Sequence, residues 1–464
     1  MAHAVTDAVA RFVTEEQRLL RSPEALTFSW PKLNPLYFNH GGLGGPTAPV
    51  IELRAVALAI AEEHPMAWHR DVAPALMRRS RGAVAGFLGC RDPARLQLVA
   101  SVSAGLFAVM QAVSLKPGDV VVTTDVRYHS VKDTLAHLCA RAGATLHTVA
   151  VPDPSSEPSA AELGAVWEAG LAAAAKEGPL KLAVFDWISS KPSMRFPARA
   201  MVAACRRFSC PSLVDGAHVP GSVPEADICI DELGCDFFCC TFSKWLFAPR
   251  SVAALYVREG SHERWPHIDV SLLDPTVLAP AAASTAETTY LVDHLMQGIY
   301  DESTREYANA LVLPLCVGLW RANADNILRE AAANVELCHL VLPKAWGTRS
   351  LVPPALAQGA MACVLLPTER LQRSFARMPL TVLKKYVHDE LLSRWQVEVP
   401  VFVWRGELAV RVSVPGYILR AHLQARKGSL LSWFLRYSHA ANPCSVPAGA
   451  GGRGERAERR ARRR

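Results

Sequence analysis

Short apolar runs alternate with amphipathic stretches from about residue 97 onwards. The apolar runs are rich in β-branched residues and predict strands, whereas the stretches between them have helical spacing. The predicted strands cover residues 96–100, 119–124, 144–151, 180–187, 212–214, 236–241 and 251–257. The predicted helices cover residues 103–114, 130–142, 163–176 and 198–208. This alternation favours a three-layer α/β/α fold around a mostly parallel sheet.

The pattern changes after residue 281, where helices mix with fewer and shorter strands. The predicted helices there are 290–300, 307–324, 326–340 and 381–395, and the strands are 362–366 and 407–414. We expect a smaller α+β domain in this part of the chain. The predicted division is an N-terminal segment associated with the small domain (1–60), a large domain (61–290), a small C-terminal domain (291–440) and a disordered Arg-rich tail (441–464).

Composition narrows the class of protein. The chain has 464 residues, of which 50% are apolar and 20% are charged, so a disordered chain or a small disulfide-stapled module is excluded. No uncharged apolar stretch reaches the ~20 residues of a membrane-spanning helix, and we expect no membrane partner. The net charge is +7, but residues 451–464 hold seven arginines and two glutamates. Because the rest is nearly neutral, no nucleic-acid partner is expected, although the role of the basic tail stays open.

The twelve cysteines contain no C-x-x-C pair, so we predict neither a zinc ribbon nor any other metal site. Buried free thiols in a reducing compartment are the expectation. The first twenty residues are amphipathic without an apolar signal core, which favours the cytoplasm.

Polar residues follow the predicted strands, where parallel sheets bind their ligands. Lys244 comes after the strand at 236–241 among apolar neighbours, which lower the pKa of a lysine and make its amine nucleophilic. Asp215 ends the strand at 212–214 and is suited to hold a pyridinium proton. Each has an ordinary alternative, a solvated lysine with a buried stem or an aspartate in a turn. Their shared position in one predicted cleft favours the functional interpretation.

Two further turns follow strands of the same sheet. At residues 101–103 a strand runs into a helix, whose free amides and dipole can hold a phosphate, and Ser103 is the expected N-cap. Tyr128 or His129 follows the strand at 119–124 and can stack on a planar cofactor. The alternatives are a cap without a ligand and an aromatic residue that packs at a turn.

Together these elements resemble the class V aminotransferase family of fold-type I pyridoxal-phosphate enzymes, and within it the isopenicillin N epimerase-like group. The resemblance covers roughly residues 35–420. Besides the two turns it rests on YFNHGGLGGPTAPV (37–50), the segment 64–89, DWISSKPSMRFP (186–197), VDGAHVPG (214–221) and SKWLFAP (243–249). It implies the fold-type I architecture, pyridoxal 5'-phosphate as cofactor, an amino acid as substrate and a homodimer.

The resemblance also implies roles for individual residues. Lys244 would form the internal aldimine and move the α-proton, Asp215 would pair with the pyridine nitrogen, and His218 would bond the phenolic oxygen. Tyr128 matches the residue that stacks on the cofactor. The phosphate contacts would be Val102, Ser103, Thr241 and Ser243. Arg411 matches the arginine that binds the substrate carboxylate, and the remaining substrate-pocket positions would be Asn39, His40 and Arg70.

The chain departs from the family pattern at three places. Ser243 stands where the family usually has histidine, and the phosphate turn is Ser-Val-Ser instead of Asn-Ala-Thr. The element that would reach the partner subunit's phosphate is matched only loosely, by Ser284, Thr285 and Glu287.

These motifs predict proton removal from Cα of an amino acid through an external aldimine, but three fates of the carbanion stay open. Epimerisation, as in the isopenicillin N epimerase-like group, is the first expectation. The main alternative is β-elimination by a carbon–sulfur lyase that acts on a cysteine conjugate or sulfoxide, and transamination is the other. A cysteine desulfurase is disfavoured because Cys363 lies in the apolar run MACVLL and should be buried. A non-catalytic relative is disfavoured because Lys244, Asp215 and Arg411 are all present.

Overall fold

The computed structural model describes residues 2–22, 36–269, 306–357, 359–375 and 378–415. Four predictions lie outside these residues: the helix at 290–300, the domain boundaries at 290 and 440, the tail at 441–464, and the element with Ser284, Thr285 and Glu287. The proposed division into domains therefore stays a prediction.

The strands form three sheets. In chain order β1 to β12 are Leu36–Tyr37, Leu96–Val99, Val120–Thr124, Thr145–Val149, Leu180–Asp186, Ser212–Asp215, Phe237–Thr241, Ala253–Val257, Met361–Leu365, Val397–Glu398, Val401–Trp404 and Glu407–Ser413. The main sheet has the order β2-β8-β7-β6-β5-β3-β4, and β8 alone runs antiparallel to its neighbours. The predicted mostly parallel sheet is confirmed, with each predicted strand within two residues of its observed bounds.

The helices cover both faces of this sheet. In chain order α1 to α14 are Ala2–Leu20, Ala48–Glu63, Pro65–Ala67, Ala73–Leu88, Val102–Ala112, His129–Ala142, Ala160–Glu177, Ala198–Arg207, Ile230–Leu233, Ser261–Arg264, Ala308–Leu311, Leu313–Trp346, Thr368–Ser374 and Leu380–Trp395. Side chains of β3 alternate between two cores: Val120 and Val122 join the core with α7 and α8, whereas Val121 joins the core with α5 and α6. This alternation produces the predicted α/β/α layers.

A second, smaller unit follows in the chain. Strands β11, β12 and β9 form an antiparallel sheet, and β1 pairs with β10, which ties the N-terminal segment to this unit. Its core includes Trp346 of α12 and Val387 of α14. The predicted break between helices 307–324 and 326–340 is wrong, because α12 runs without interruption from Leu313 to Trp346. Residues 320–330 contain no Gly or Pro that would end a helix.

Two predictions from composition can be compared with the described residues. Within them, no helix is long and apolar enough to cross a membrane. Of the eleven cysteines in this part of the chain, all are free thiols and ten are buried. The expectation of buried free thiols is therefore confirmed for the described residues.

Candidate active site

A cavity of about 560 Å³ opens at the carboxyl edge of the parallel strands. Its walls come from the segments after β2, β3, β5, β6 and β7, from residues 39 and 41–43, and from β12. Most of the predicted site residues line it: Asn39, Val102, Ser103, Tyr128, Asp215, His218, Thr241, Ser243, Lys244 and Arg411. The exceptions are His40 and Arg70.

Lys244 lies three residues after the end of β7 and projects into this cavity. Its Nζ is 3.0 Å from Nε2 of His218, which is buried. Burial, followed by the charge of Arg411, lowers the pKa of Lys244 to about 8. Burial also holds the pKa of His218 well below its usual value, so the neutral imidazole accepts a hydrogen bond from the lysine. Nδ1 of His218 has no hydrogen-bond partner among the described residues.

The loop that carries Lys244 is held from behind by the N-terminal segment. His40 is fully buried, and its Nε2 contacts the carbonyl oxygen of Lys244. Its ring packs on Trp245 with centroids 5.5 Å apart. A Cβ on Gly44 would lie 1.9 Å from the carbonyl oxygen of Ser243, so only glycine permits this approach. His40 was expected in the substrate pocket; the structure instead places it behind the lysine loop.

Asp215 is the last residue of β6, and both its carboxylate oxygens have partners. Oδ1 accepts a hydrogen bond from the amide of Ala217 at 2.9 Å, and Oδ2 lies 3.2 Å from Nη2 of Arg127. Nη1 of the same arginine lies 2.9 Å from Oδ2 of Asp186, the last residue of β5. Arg127 and Asp186 were not predicted as site residues. Their positions directly after β3 and at the end of β5 were the available signal.

The turn after β2 offers backbone amides to the cavity. Helix α5 begins at Val102, and its N-cap is Ser101, whose hydroxyl accepts a hydrogen bond from the amide of Ala104 at 3.1 Å. The expectation that Ser103 caps this helix is therefore wrong, because the chain becomes helical one residue before Ser103. The amides of Val102 and Ser103 are first-turn donors without an intrahelical acceptor, which suits an anion.

Other predicted cofactor contacts surround this turn. Oγ1 of Thr241 and Oγ of Ser243 are 3.1 Å apart, and both residues line the cavity. Of the two aromatic candidates after β3, Tyr128 lines the cavity. Its side chain is 42% exposed in this single chain. The cavity thus has one aromatic ring at its rim and hydroxyl groups beside the amides.

Arg411 is a cation buried in the middle of strand β12, where its side chain reaches the cavity. Nη1 donates to Oγ of Ser190 at 2.7 Å, and Nη2 donates to Oδ1 of Asn39 at 3.0 Å. The amide group of Asn39 is oriented by Glu398, which accepts from its Nδ2 at 3.0 Å. Among the described residues no carboxylate forms an ion pair with Arg411, and burial lowers its pKa to about 10. The guanidinium therefore lies uncompensated beside the cavity.

Arg70 is not brought into this cavity. Its guanidinium contacts Asp71 at 2.7 Å, and its side chain is largely exposed. Two cations that were not predicted, Lys191 and Arg250, do line the cavity. Burial and the neighbouring charge of Arg411 lower the pKa of Lys191 to about 8. The lining is accordingly rich in positive groups, which fits ligands with anionic groups.

The chain is similar to a known family and to several named proteins. The family model for aminotransferase class-V matches residues 61–271. Two proteins of Oryza sativa subsp. japonica, whose names give L-cysteine desulfhydrase as a provisional activity, are 29% and 30% identical over 71% of this chain. The matches cover 67% and 66% of their length, so the chain spans about two thirds of these relatives. An isopenicillin N epimerase of Amycolatopsis lactamdurans is 28% identical over 82% of this chain and 90% of its own.

Solved structures agree on the fold. A C-DES variant with glycine covalently linked to its PLP cofactor superposes with a TM-score of 0.65 at 16% identity, over 89% of this chain and 99% of that one. The sheet, the family match and these relatives confirm the resemblance predicted from the motifs. The chain belongs to the aminotransferase class-V family and is a pyridoxal-phosphate-dependent enzyme of fold type I, acting on an amino acid or amino-acid derivative.

Proposed function

We propose that this enzyme is a carbon–sulfur lyase of the L-cysteine desulfhydrase type, which removes the α-proton of its substrate and releases sulfur from the β-carbon. The removal of the α-proton rests on the pairing of two groups in one cavity, and the release of sulfur rests on the names of the rice relatives. Burial lowers the pKa of the Lys244 amine to about 8, and Arg411 is a buried cation without a carboxylate partner among the described residues. The names of the rice relatives support the sulfur chemistry.

The residues of the cavity fit pyridoxal phosphate. Nδ1 of His218 has no hydrogen-bond partner in the described part of the chain, and the amides of Val102 and Ser103 lie in the first turn of α5, where the helix itself offers no acceptor. A bound ligand would satisfy these polar groups. We assign Lys244, Asp215, His218 and Tyr128 to the ring, and Val102, Ser103, Thr241 and Ser243 to the phosphate. When bound, the cofactor supplies an aldehyde that combines with amines and a ring that withdraws electrons from the bond to be broken.

The chain's own residues then have separate tasks. Arg411 would bind the substrate carboxylate through its planar guanidinium, because an anion at this position offsets the desolvation free energy of the buried cation. Asn39 and Ser190 orient that guanidinium through their hydrogen bonds. Lys244, as a neutral amine, would accept the α-proton, and neutral His218 beside it holds the Nζ atom in place.

Epimerisation is the second candidate, and the Amycolatopsis lactamdurans epimerase, matched over 90% of its length, favours it. Both reactions need the same proton removal and differ only in the step after it. A desulfurase is not supported, because Cys363 is fully buried in β9 and its Sγ accepts a hydrogen bond from the amide of Ser193 at 3.3 Å. Burial also raises the pKa of that thiol, which keeps it from acting as a nucleophile.

The test is to supply the cofactor-loaded enzyme with a panel of L-amino acids in deuterated water. With L-cysteine we expect one sulfide, one ammonia and one pyruvate per cysteine and water consumed, measured by methylene-blue, ammonia and lactate-dehydrogenase assays. Deuterium in a recovered D-isomer without sulfide would instead establish epimerisation. A keto acid that retains its side chain would establish transamination.

Lys244→Ala is the matching variant, and its control is Lys181→Ala, which removes a lysine outside the cavity lining. We expect Lys244→Ala to lower turnover by about 10³-fold or more and to change the visible absorbance of the bound cofactor. Lys181→Ala should change neither. If Lys244→Ala keeps the absorbance and turnover, the assignment of the lysine is wrong.

Two broader assignments are also part of the proposal. Leu43 and Tyr128 line the cavity yet are 60% and 42% exposed, which supports a homodimer that covers the cavity rim. Light scattering on the purified protein tests it, with a mass of one chain as the contrary result. The free thiols support a reducing compartment such as the cytoplasm, which fractionation of the source cells tests.

A further inference from the structure

Behind the cavity floor lies a group of three buried charges, Arg127, Asp186 and Asp215, here called the charged trio. The guanidinium lies between the carboxylates, with Nη1 2.9 Å from Asp186 Oδ2 and Nη2 3.2 Å from Asp215 Oδ2. The arginine side chain has no exposed surface, and each aspartate side chain is 5% exposed. Both aspartates line the cavity, whereas the arginine lies behind them.

The sheet topology brings the trio together. Strands β3, β5 and β6 are neighbours, and Asp186 and Asp215 pair directly in the parallel register. Arg127 follows the end of β3, next to β5. The three residues therefore meet at one edge of the sheet only once the strands are paired in this order.

The trio has an unequal charge count. A structural ion pair needs one carboxylate for one guanidinium, but here two buried carboxylates share a single cation. Burial raises the pKa of Asp186 to about 7; the charge of Arg127 opposes this effect, and the charge of Asp215 adds to it. With all three groups ionised the trio has one net negative charge, which is the charge that one protonated ring nitrogen would neutralise.

The orientation of Asp215 is fixed as well. One oxygen is held by the amide of Ala217 and the other by Arg127, so the carboxylate cannot rotate without loss of a hydrogen bond. Arg127 in turn forms an ion pair with Asp186 on its other side. Asp186 thus acts on Asp215 in two ways, through the arginine that they share and through the repulsion between the two neighbouring carboxylates.

We propose that Arg127 and Asp186 are positioning residues that orient Asp215 and set the net charge beside the ring nitrogen of the cofactor. This inference rests on the proposed function, in which Asp215 pairs with that nitrogen. It predicts opposite effects for the two residues. Loss of the negative charge of Asp186 weakens the hold on the ring proton, whereas loss of the positive charge of Arg127 strengthens it.

The experiment follows the ring nitrogen directly. The full chain is reloaded with pyridoxal phosphate labelled with ¹⁵N in the ring, and the ¹⁵N chemical shift is recorded against pH. Asp186→Asn should weaken proton binding at the ring about 10-fold or more, and Arg127→Gln should strengthen it. Arg127→Lys keeps the net charge of the trio but loses the two-pronged guanidinium. The ring nitrogen of the cofactor in this variant should therefore titrate as in the wild type. Glu16→Gln, which neutralises a buried carboxylate paired with Arg79 outside the cavity lining, is the matched control and should change nothing.

Kinetics supply a second measurement. Asp186→Asn should lower kcat by about 10- to 100-fold while KM stays within about threefold, because the carboxylate site at Arg411 is untouched. If Asp186→Asn fails to fold, the proposal is still tested by the two arginine variants. The pH titration of the ring nitrogen should differ between Arg127→Lys and Arg127→Gln. Equal ¹⁵N titrations for the two arginine variants would overturn it.

Failure of this inference can be told from failure of the proposed function by a fourth variant, Asp215→Asn. If the ring-nitrogen titration changes in Asp215→Asn but not in Asp186→Asn, only the proposed role of the trio is wrong. If it changes in neither variant, Asp215 does not pair with the ring nitrogen, and the proposed cofactor assignment is wrong as well.

Discussion

Two walls of the cavity each contain a buried arginine, and they differ in how its charge is balanced. The compensated wall contains Arg127, and the uncompensated wall contains Arg411. On the side of the main sheet, Arg127 is buried between Asp186 and Asp215 and is fully compensated. On the side of the small sheet, Arg411 is equally buried, and its hydrogen bonds within the described part of the chain go to neutral oxygens of Ser190 and Asn39. A compensated buried charge holds the protein's own parts in place, whereas an uncompensated one is ready for an anion from outside.

This difference has an energetic consequence. Removal of one partner from a buried ion pair leaves a charge in a medium that solvates it poorly, and stability falls. Removal of a buried cation that has no counter-ion takes away a desolvation cost, so stability should hold or rise. Two arginines with similar burial are therefore expected to respond to the same substitution with opposite signs.

The largest effect is expected for Arg127→Met in the cofactor-free protein. It leaves two carboxylates buried side by side, and the free energy of unfolding should fall by about 3–5 kcal/mol. A urea titration followed by tryptophan fluorescence measures this quantity. Arg349→Gln is the control, because its ion pair with Glu407 is about half exposed and should be worth about 1 kcal/mol or less. If Arg127→Met lowers the free energy of unfolding by no more than the control does, the two aspartates do not depend on Arg127 for charge compensation.

Arg411→Met should show the reverse pattern. The free energy of unfolding should stay level or rise, because an uncompensated cation has been removed. The value of kcat/KM for amino acids should fall by about 10²- to 10³-fold, mainly through KM, because the substrate carboxylate loses its partner. Steady-state kinetics and the same urea titration measure both. The KM of Arg411→Lys should lie between those of the wild type and Arg411→Met, since an ammonium cannot form two parallel hydrogen bonds. An unchanged KM for Arg411→Met removes this residue from the substrate site.

The compensated wall was only partly predictable from the sequence. Asp215 and Lys244 follow continuous apolar runs, and such runs define buried parallel strands whose ends meet at one edge. Arg127 also follows such a run, but in TTDVRYHSV it resembles any polar residue of a turn, so its position alone did not mark it as a site residue. Its burial depends on β3 lying beside β5, and that neighbourhood is a property of the sheet order and not of local sequence.

The uncompensated wall was predictable only through the family resemblance. Arg411 lies in LAVRVSV, where alternation alone would assign an arginine to the exposed face. In the structure β12 is the central strand of its sheet and is covered on both faces, so this position is buried. The place of His40 and the role of Ser103 as N-cap were mispredicted for a similar reason. Tertiary contacts decide that the segment with His40 folds against the lysine loop, and single dihedral angles decide that the cap is Ser101, two residues before Ser103.

The smallest effect, and the finest test of the two walls, is their influence on Lys244 between them. Arg411 lowers the pKa of the lysine and the two aspartates raise it, while burial sets the value near 8. The rate at which acetic anhydride labels Lys244 in the cofactor-free protein, followed by peptide mass spectrometry, should therefore rise with pH and level off above about 8. Arg411→Met should move that midpoint to higher pH and Asp186→Asn to lower pH, each by roughly half a pH unit to one unit, or ~1 kcal/mol. If the labelling midpoint shifts in the same direction in both variants, the charges of Arg411 and Asp186 do not set the pKa of Lys244. The difference between the two walls would then not reach the lysine amine.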